Sequence, residues 1–593
     1  MRYNAKDLKE MSNVVRSDAL RAVRAAQSGH IGIVLGAADI ITTIYANFLR
    51  RGRDRFVLSA GHGSAMLYAT LKNAGYKIAD LDSFRKIGGL PGHPEYGIDG
   101  VDATTGPLGQ GIGAAVGMAL AEKIKKSDGH IYCLCSDGDL MEGVAQESIA
   151  FAGRYKLNNL VLLWDDNGIS IDGVAQTDVN VADRMRAAGW IVLTVDGNDP
   201  YKINRALRDA AQTIAPIFIC CKTQIGHDSS VAGTPRAHGY GLKPDEMSEL
   251  ISRLDSERGR ELWNALADNA TVVMSPDTFV ADFDVELPDI PEKISTRELS
   301  GMYINAMLNA GVPLIGGSAD LGGSTNAKVP ASRDIEPTDF NGNYINYGVR
   351  EHAMGAIMNG LAACGLRPYG STFLVFSDYM RPAMRVAAIS GLPVIYVLTH
   401  DSVAVGEDGP THQPIEQLPS LRLMPNMNVF RPCNMAEVAY AYRTALKSTV
   451  RPTSIILSRQ GIKQIPTPLD ADISRGAYII HPAGARNVRM TLLATGAEVP
   501  LAVAVATKLG PDVQVASVPC VSAFRAAPNE YKANILRGRI IAIEAAAAAP
   551  WFEFADAVIG IDRFGLSGDG ASVCDALGFS VDAIVRDISR MTK

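Results

Sequence analysis

One stretch, residues 131–172, IYCLCSDGDLMEGVAQESIAFAGRYKLNNLVLLWDDNGISID, restricts the fold more than any other part of the chain. An apolar run at 131–135 passes through Asp137-Gly138-Asp139 into a helical pattern over about 141–154, and a second apolar run follows at 160–164. That order predicts strand, crossover helix and parallel strand. A right-handed crossover sets the two strands side by side, so Asp137 and Asn167 fall at neighbouring carboxyl ends, where open α/β sheets bind ligands.

One carboxylate and one amide oxygen would converge there. Such donors suit Mg²⁺ or Ca²⁺, and Mg²⁺ in particular is held by few protein groups plus phosphate oxygens. Gly138 lets the backbone approach closely, and the helix after it offers free N–H groups and a favourable dipole to an anion. A plain strand-end turn explains Asp-Gly alone, but Glu142 and the closing DDNGIS favour a metal and diphosphate site.

At these residues a family becomes recognisable. SDGDLMEG, with the asparagine of DDNGISIDG 30 residues beyond Asp137, resembles the thiamine-diphosphate motif, and in wording it resembles transketolase. The resemblance implies that Asp137, the Asn167 side chain and the Ile169 carbonyl hold the divalent ion bridging the diphosphate. Mg²⁺ is expected, with Ca²⁺ or another divalent ion also compatible. Ser136 stands where the family usually has glycine, a change expected to be tolerated because the metal-facing groups follow it.

A chain of 593 residues is too long for one core and suggests three or four domains. Hydrophobic content of 47% and charged content of 20% describe a soluble globular protein. The net charge of −6 comes without a basic tract, which argues against nucleic acid as a partner. No apolar run reaches the roughly eighteen residues of a membrane span, and the amphipathic start MRYNAKDLKEMSNVVRSDALRAVRAAQSGH lacks the apolar stretch of a secretory signal. The 8 cysteines lack paired CxxC spacing and read as buried free thiols in a reducing cytoplasm.

Apolar runs alternating with helical patterns point to α/β architecture in three domains: two parallel-sheet domains and a smaller C-terminal α/β domain. The expected boundaries are 1–275, an acidic, proline-bearing linker at 276–296, then 297–465, a second linker at 466–476, and 477–593. In the family the first two domains bind the diphosphate and the pyrimidine of thiamine diphosphate respectively.

Four segments of the first domain carry a histidine beside glycine: SGHIGIVLGAADI with His30, LSAGHGSAMLY with His62, GLPGHPEYGIDGVDATTGPLGQGIGAAVGMA with His93, and AGTPRAHGYGL with His238. Any one alone is most simply structural. Together they resemble the transketolase histidine set. The resemblance gives His62 and His238 to the diphosphate, with His238 also near substrate, His30 to proton transfer at the substrate, and His93 to the donor hydroxyl groups. Gly106, Leu108 and Ile171 would shape the thiazolium bed, and Gly138 the diphosphate cradle. The run GQGIGAAVG follows TTGP and not a hydrophobic strand, so it fails the dinucleotide fingerprint and reads as close helix packing. Ile31 and Val34 replace prolines usual in the family, and the link from Leu49 to Asp54 is shorter than in most relatives.

In the second domain Glu351 opens a small-residue helix in NYGVREHAMGAIMNGLA. By resemblance it bonds the pyrimidine N1′ of thiamine. Phe373, Phe376 and Tyr379, spaced three apart, predict one helix face, and in the family they enclose the pyrimidine ring. Asp320 matches a cofactor-side position. THDSVAVGEDGPTHQPIEQ puts His400, Asp408 and His412 in a loop after a buried strand. By resemblance His412 lies near the thiamine amino group and the substrate C1 hydroxyl, His400 binds sugar phosphate, and Asp408 a substrate hydroxyl. Arg297, Ser324 and Arg459 complete the phosphate end, where forked guanidinium donors are chemically apt. The alanine series after Glu544 is atypical of the family, and the sequence offers no account of it.

The resemblance spans the whole chain. It implies a homodimer in which the first domain of one subunit and the second of its partner enclose each cofactor. The reaction implied is two-carbon ketol transfer from xylulose 5-phosphate to ribose 5-phosphate or erythrose 4-phosphate, in the pentose phosphate pathway. Dihydroxyacetone synthase, with formaldehyde as acceptor, is the nearest rival. 1-Deoxyxylulose 5-phosphate synthase would need a pyruvate site, and His30, His93, His400 and Asp408 suit a polyhydroxylated sugar phosphate better. Missing metal ligands or a lost Glu351 would favour a catalytically silent scaffold, and neither is missing.

Overall fold

A computed structural model of the protein describes residues 2–210, 213–268, 285 and 289–591. Most of the linker expected at 276–296, namely 276–284 and 286–288, lies outside the described residues. The chain packs as two compact units. The first comprises Met1–Asp277, Glu336–Asn341 and Gly355–Gly365; the second comprises Thr278–Ile335, Gly342–Met354 and Leu366–Lys593.

The first unit is built on five parallel strands, β1 (Arg55–Leu58), β2 (Ile131–Ser136), β3 (Leu160–Asp166), β4 (Ile191–Asp196) and β5 (Ile217–Lys222), in the order β1-β2-β3-β5-β4. Every residue of β2 and β3 is buried, as expected for strands covered by helices on both faces. Their register runs from Ile131 opposite Leu160 to Ser136 opposite Asp165, so residues 137 and 167 leave the sheet at the same edge. The expected crossover is present but broken. Glu142, at φ −71° and ψ 136°, separates a short helix Asp137–Met141 from Gly143–Arg154. The short helix is fixed at its start by a capping box between Ser136 and Asp139, which gives the serine at this position a structural use.

The amphipathic N-terminus forms the helix Ala5–Ala26, capped by Asn4, and ends just before His30 and the helix Ile31–Asn47. The glycine run forms the helix Gln110–Ile124. A Cβ on Gly113 would sit 2.4 Å from Ala356 Cβ, and one on Gly117 2.0 Å from the Ile357 carbonyl, so these glycines serve close helix packing. The short link before β1 is held by Arg50, which pairs with Asp54 at 2.7 Å, while Asp54 also accepts the His130 N–H at 2.9 Å.

The second unit contains two sheets. One has six parallel strands, β6 (Leu314–Ser318), β7 (Tyr344–Asn346), β8 (Arg367–Phe373), β9 (Ile395–Thr399), β10 (Asn428–Phe430) and β11 (Thr453–Leu457), ordered β7-β6-β8-β9-β11-β10. The other has β12 (Tyr478–His481), β13 (Met490–Ala494), β14 (Val513–Ser517), β15 (Arg539–Ile543) and β16 (Ala557–Ile559), ordered β12-β14-β13-β15-β16. It is mixed, because edge strand β12 runs antiparallel to β14 while the other pairs are parallel.

Two sequence readings change here. Phe373, Phe376 and Tyr379 do not share a helix face: Phe373 ends β8, Phe376 lies in the turn Leu374–Phe376, and Tyr379 is in the helix Ser377–Ser390. Pairing of Phe373 with Thr399 on β9 overrides the three-residue spacing. The alanine series also gains a reason. Glu544 is buried and accepts from Arg422 at 2.7 Å and from the Trp551 indole at 2.7 Å. A Cβ on Gly560 would lie 2.9 Å from Ala548 Cβ and 3.0 Å from the Ala546 carbonyl, so these alanines seat a close strand approach beside that ion pair.

Of the 8 free cysteines, 7 are buried. No helix among the described residues is long and apolar enough to cross a membrane.

Candidate active site

In the first unit, the carboxyl ends of the strands open into a cleft of about 470 Å³, a size suited to a small organic cofactor. His30, His62, His93 and His238 all line it, as do Gly106, Leu108, Asp137, Gly138, Asn167, Ile169 and Ile171. Segments far apart in sequence thus converge as expected. His62 and His238 stack with ring centroids 5.3 Å apart, and His30 meets both edge-on at 5.3 and 5.5 Å. His93 lies 6.4 Å from His30.

Burial keeps this quartet neutral. His62 is pushed down to about 3 by desolvation and then by the neighbouring histidines; His30 falls to about 4 through desolvation, Arg85 and the other rings. His93 and His238 shift downward for the same first reason. The unfolded chain takes up protons below its ordinary histidine pKa of about 6.5 while the folded quartet does not, so stability is present above that pH and lost as pH falls. For the cofactor-free protein we expect His62 alone to cost on the order of 1–2 kcal/mol at pH 5. Thermal unfolding at pH 7.5 and 5 should show a smaller acid loss in His62→Asn; an equal loss would contradict the assignment.

The two acids of SDGD have opposite fates. Asp139 is saturated: it accepts from Ser59 Oγ at 2.7 Å, from the Gly109 N–H at 2.7 Å and from the Ser136 N–H at 2.9 Å. Asp137 is only 3% exposed, yet neither of its carboxylate oxygens has a hydrogen-bond partner. The Gly168 N–H and the Trp164 indole ease its charge without reaching hydrogen-bond geometry. Desolvation, then the charges of Asp165 and Asp166, raises Asp137 to about 7. A buried carboxylate lacking a donor is where a cation fits.

Asn167 donates its amide N–H to Asp165 at 3.0 Å and accepts the Ile169 N–H at 3.0 Å, which sets the direction of its oxygen. Ile169 opens a small hairpin with Gly173–Val174. Among the described residues no group of three or more His, Cys, Asp or Glu could hold a metal. The set at hand is instead mixed oxygen: carboxylate, amide and carbonyl. The cradle is tight, since a Cβ on Gly138 would lie 3.0 Å from Leu108 and one on Gly106 3.1 Å from the His93 ring. Ile171 is 72% exposed at the rim.

In the second unit Glu351 begins the helix Glu351–Ala363 and is 8% exposed. It accepts a hydrogen bond from Thr372 Oγ1 at 3.2 Å, and burial raises its pKa. Phe373 stacks on His400 with centroids 3.7 Å apart, and Phe376 lies edge-on to His412 at 5.2 Å and 6.1 Å from Tyr379. Tyr379 is 65% exposed, and Asp320, Ser324 and Asp408 are exposed.

His400 holds a left-handed backbone at φ 60° and is buried; desolvation, then Arg297 and Arg459, lower it to about 3. Arg297 donates to the Ser324 carbonyl, and its own pKa falls through desolvation and through Arg459. Arg459 reaches Glu407 only at 4.0 Å. Two guanidiniums and a neutral imidazole therefore share one electrostatic environment, which attracts an anion.

Five supporting groups escaped the sequence reading. Arg85 contacts His30; Asp165, held by Thr223, orients Asn167; and Thr399 and Thr411 meet the Nδ1 of their following histidines at 2.8 and 2.9 Å. The repeated Thr-His dipeptide was a signal for the last pair.

Family models cover the chain in order: "Transketolase, thiamine diphosphate binding domain" over residues 8–262, "Transketolase, pyrimidine binding domain" over 292–464, and "Transketolase-like TK C-terminal domain" over 476–580. Transketolase of Geobacillus stearothermophilus is 40% identical over 650 aligned positions, covering 96% of this chain and 97% of that protein. The transketolase structure from Campylobacter jejuni matches with a TM-score of 0.92 at 35% identity, over 100% of both chains. The Pichia stipitis transketolase complex with sedoheptulose-7-phosphate matches at 0.89 and 34% identity, over 99% of this chain and 97% of that one. With both thiamine-diphosphate-binding domains present and agreement along its whole length, the chain belongs to the transketolase family of two-carbon ketol transferases.

Proposed function

We propose that the cleft of the first unit takes the diphosphate of thiamine diphosphate together with Mg²⁺, held by the Asp137 carboxylate, the Asn167 amide oxygen and the Ile169 carbonyl. The observation that carries this reading is the buried, partnerless Asp137 carboxylate at the cleft wall. Ca²⁺ would satisfy the same oxygens at longer distance. His62 and His238, neutral at physiological pH, donate hydrogen bonds to diphosphate oxygens, while Gly106, Leu108, Gly138 and Ile171 bound the ring-sized space.

Bound thiamine diphosphate supplies the nucleophilic carbon and electron sink that ketol cleavage requires. Glu351 exchanges a proton with the pyrimidine N1′, and the upward shift that burial gives its carboxyl favours the protonated form needed for that exchange. Phe373, Phe376 and Tyr379 supply apolar surface for the pyrimidine ring, and Asp320 serves the same side. His30, His93 and His412 bond and orient the substrate hydroxyls at the reacting carbons, with His238 beside them, and Asp408 selects a hydroxyl configuration further along. Arg297, Ser324, His400 and Arg459 hold the sugar phosphate.

The substrates on this reading are xylulose 5-phosphate as donor and ribose 5-phosphate or erythrose 4-phosphate as acceptor. That chemistry belongs to the pentose phosphate pathway and is carried out by a cytoplasmic homodimer.

The phosphate end offers a direct test. Arg459→Ala should raise KM for phosphorylated sugars by about 10–100-fold, the worth of one charged hydrogen bond. It should leave turnover of an unphosphorylated ketose such as erythrulose nearly unchanged. Equal losses on both substrates would remove Arg459 from the phosphate site.

A further inference from the structure

Arg85 sits in a turn that the family reading leaves without a role. Its backbone is left-handed at φ 58°, a conformation that non-glycine residues adopt at a cost and that over-determined surroundings must hold. The turn closes through the Arg85 N–H, which donates to the Leu90 carbonyl at 2.7 Å, and Leu90 in turn donates to Ser83 Oγ at 3.2 Å. A Cβ on Gly92 would lie 3.2 Å from Arg85 Nε, so the chain leaves only enough room for the guanidinium to pass.

The guanidinium forks. One terminal nitrogen donates to Ser28 Oγ at 2.6 Å; the other lies 3.3 Å from His30 Nδ1. Arginine carries donors and no acceptor, so that contact holds only if His30 Nδ1 is the unprotonated nitrogen. The proton of the neutral ring is then on Nε2.

We propose that Arg85 is a positioning residue that locks His30 as the neutral Nε2–H tautomer, anchored through Ser28 and presenting a hydrogen-bond donor to the substrate. His30 in this state donates to a substrate oxygen and does not accept a proton at Nδ1. Protonating Nδ1 would set two donors face to face beside a fixed cation. His62, His93 and His238 are the other titratable groups facing His30; all shift toward the neutral form, so none offers a charge that would offset Arg85.

The inference rests on the reading of His30 as a substrate-side group, and a double-mutant cycle on the holoenzyme separates the two. Arg85→Gln should lower kcat by about 10–100-fold, the usual cost of losing a group that orients a functional ligand. The concentration of thiamine diphosphate giving half-maximal fluorescence quenching should stay as in the wild type. In a His30→Ala background the same change should cost no more than about 3-fold, because the group it orients is gone. Arg85→Lys, which keeps the cation without the fork, repeats the cycle with smaller amplitude should the glutamine variant fold poorly.

Equal losses in both backgrounds would overturn the positioning role and leave Arg85 acting on substrate or fold directly. If His30→Ala itself keeps wild-type turnover, the reading of His30 falls instead.

Discussion

Glu351→Ala should abolish turnover, lowering kcat by about 10³-fold or more, while the protein stays folded and binds metal and diphosphate. The carboxyl is 8% exposed at a helix start, takes one hydrogen bond from Thr372, and is raised in pKa by burial. Burial shifts this carboxyl toward its protonated form relative to an ordinary surface glutamate, which favours proton exchange with a bound base. Glu351→Gln separates that role from packing. It keeps the size and can keep the Thr372 contact but cannot exchange a proton, so it should be as inactive as alanine. Wild-type turnover in the glutamine variant, with cofactor bound, would remove Glu351 from the chemistry.

Asp137→Asn should move stability and function in opposite directions. In the cofactor-free protein the charged oxygens of Asp137 are buried without a partner in hydrogen-bond geometry and face the charges of Asp165 and Asp166. Replacing that carboxylate with a neutral amide of the same shape should raise stability by about 1–3 kcal/mol above pH 7, seen as a higher melting temperature. The same change removes an anionic oxygen from the proposed metal site. Apparent affinity for thiamine diphosphate in the presence of Mg²⁺ should fall by more than the about 10–100-fold that outer-shell changes cost. The variant should also lose the thermal stabilisation that cofactor plus Mg²⁺ gives the wild type. An asparagine variant that is less stable without cofactor, or still fully stabilised by it, would contradict the assignment. This opposition separates a ligand from a structural acid: Asp139, two residues on, accepts four hydrogen bonds, and its loss would harm both properties together.

How much of this was legible in the sequence depends on what held each group in place. The β2–β3 crossover could be read because two apolar runs and a small-residue helix specify it locally. The histidine quartet could be collected because each member lies in a motif, and the cleft does bring all four together. The aromatic series misled because a spacing of three fits a helix and also a strand, turn and helix start; only the pairing of β8 with β9 decides.

Arg85 was hidden for a different reason. Nothing in the stretch around it announces a left-handed turn, and its partners Ser28 and His30 lie more than 50 residues away. The support of Asn167 by Asp165 and Thr223 is equally non-local, spanning neighbouring strands. The alanine series needed the partner surface at Gly560 before its small size had meaning. Motif residues show in sequence because their chemistry is local, whereas the groups that aim them are chosen by the fold.

The decisive measurement is formation of sedoheptulose 7-phosphate from xylulose 5-phosphate and ribose 5-phosphate by protein stripped of metal and cofactor. Stripped protein should give no product, with full recovery when thiamine diphosphate and Mg²⁺ are added together. No product after both are restored, with thiamine diphosphate shown to be bound, would contradict the proposed function.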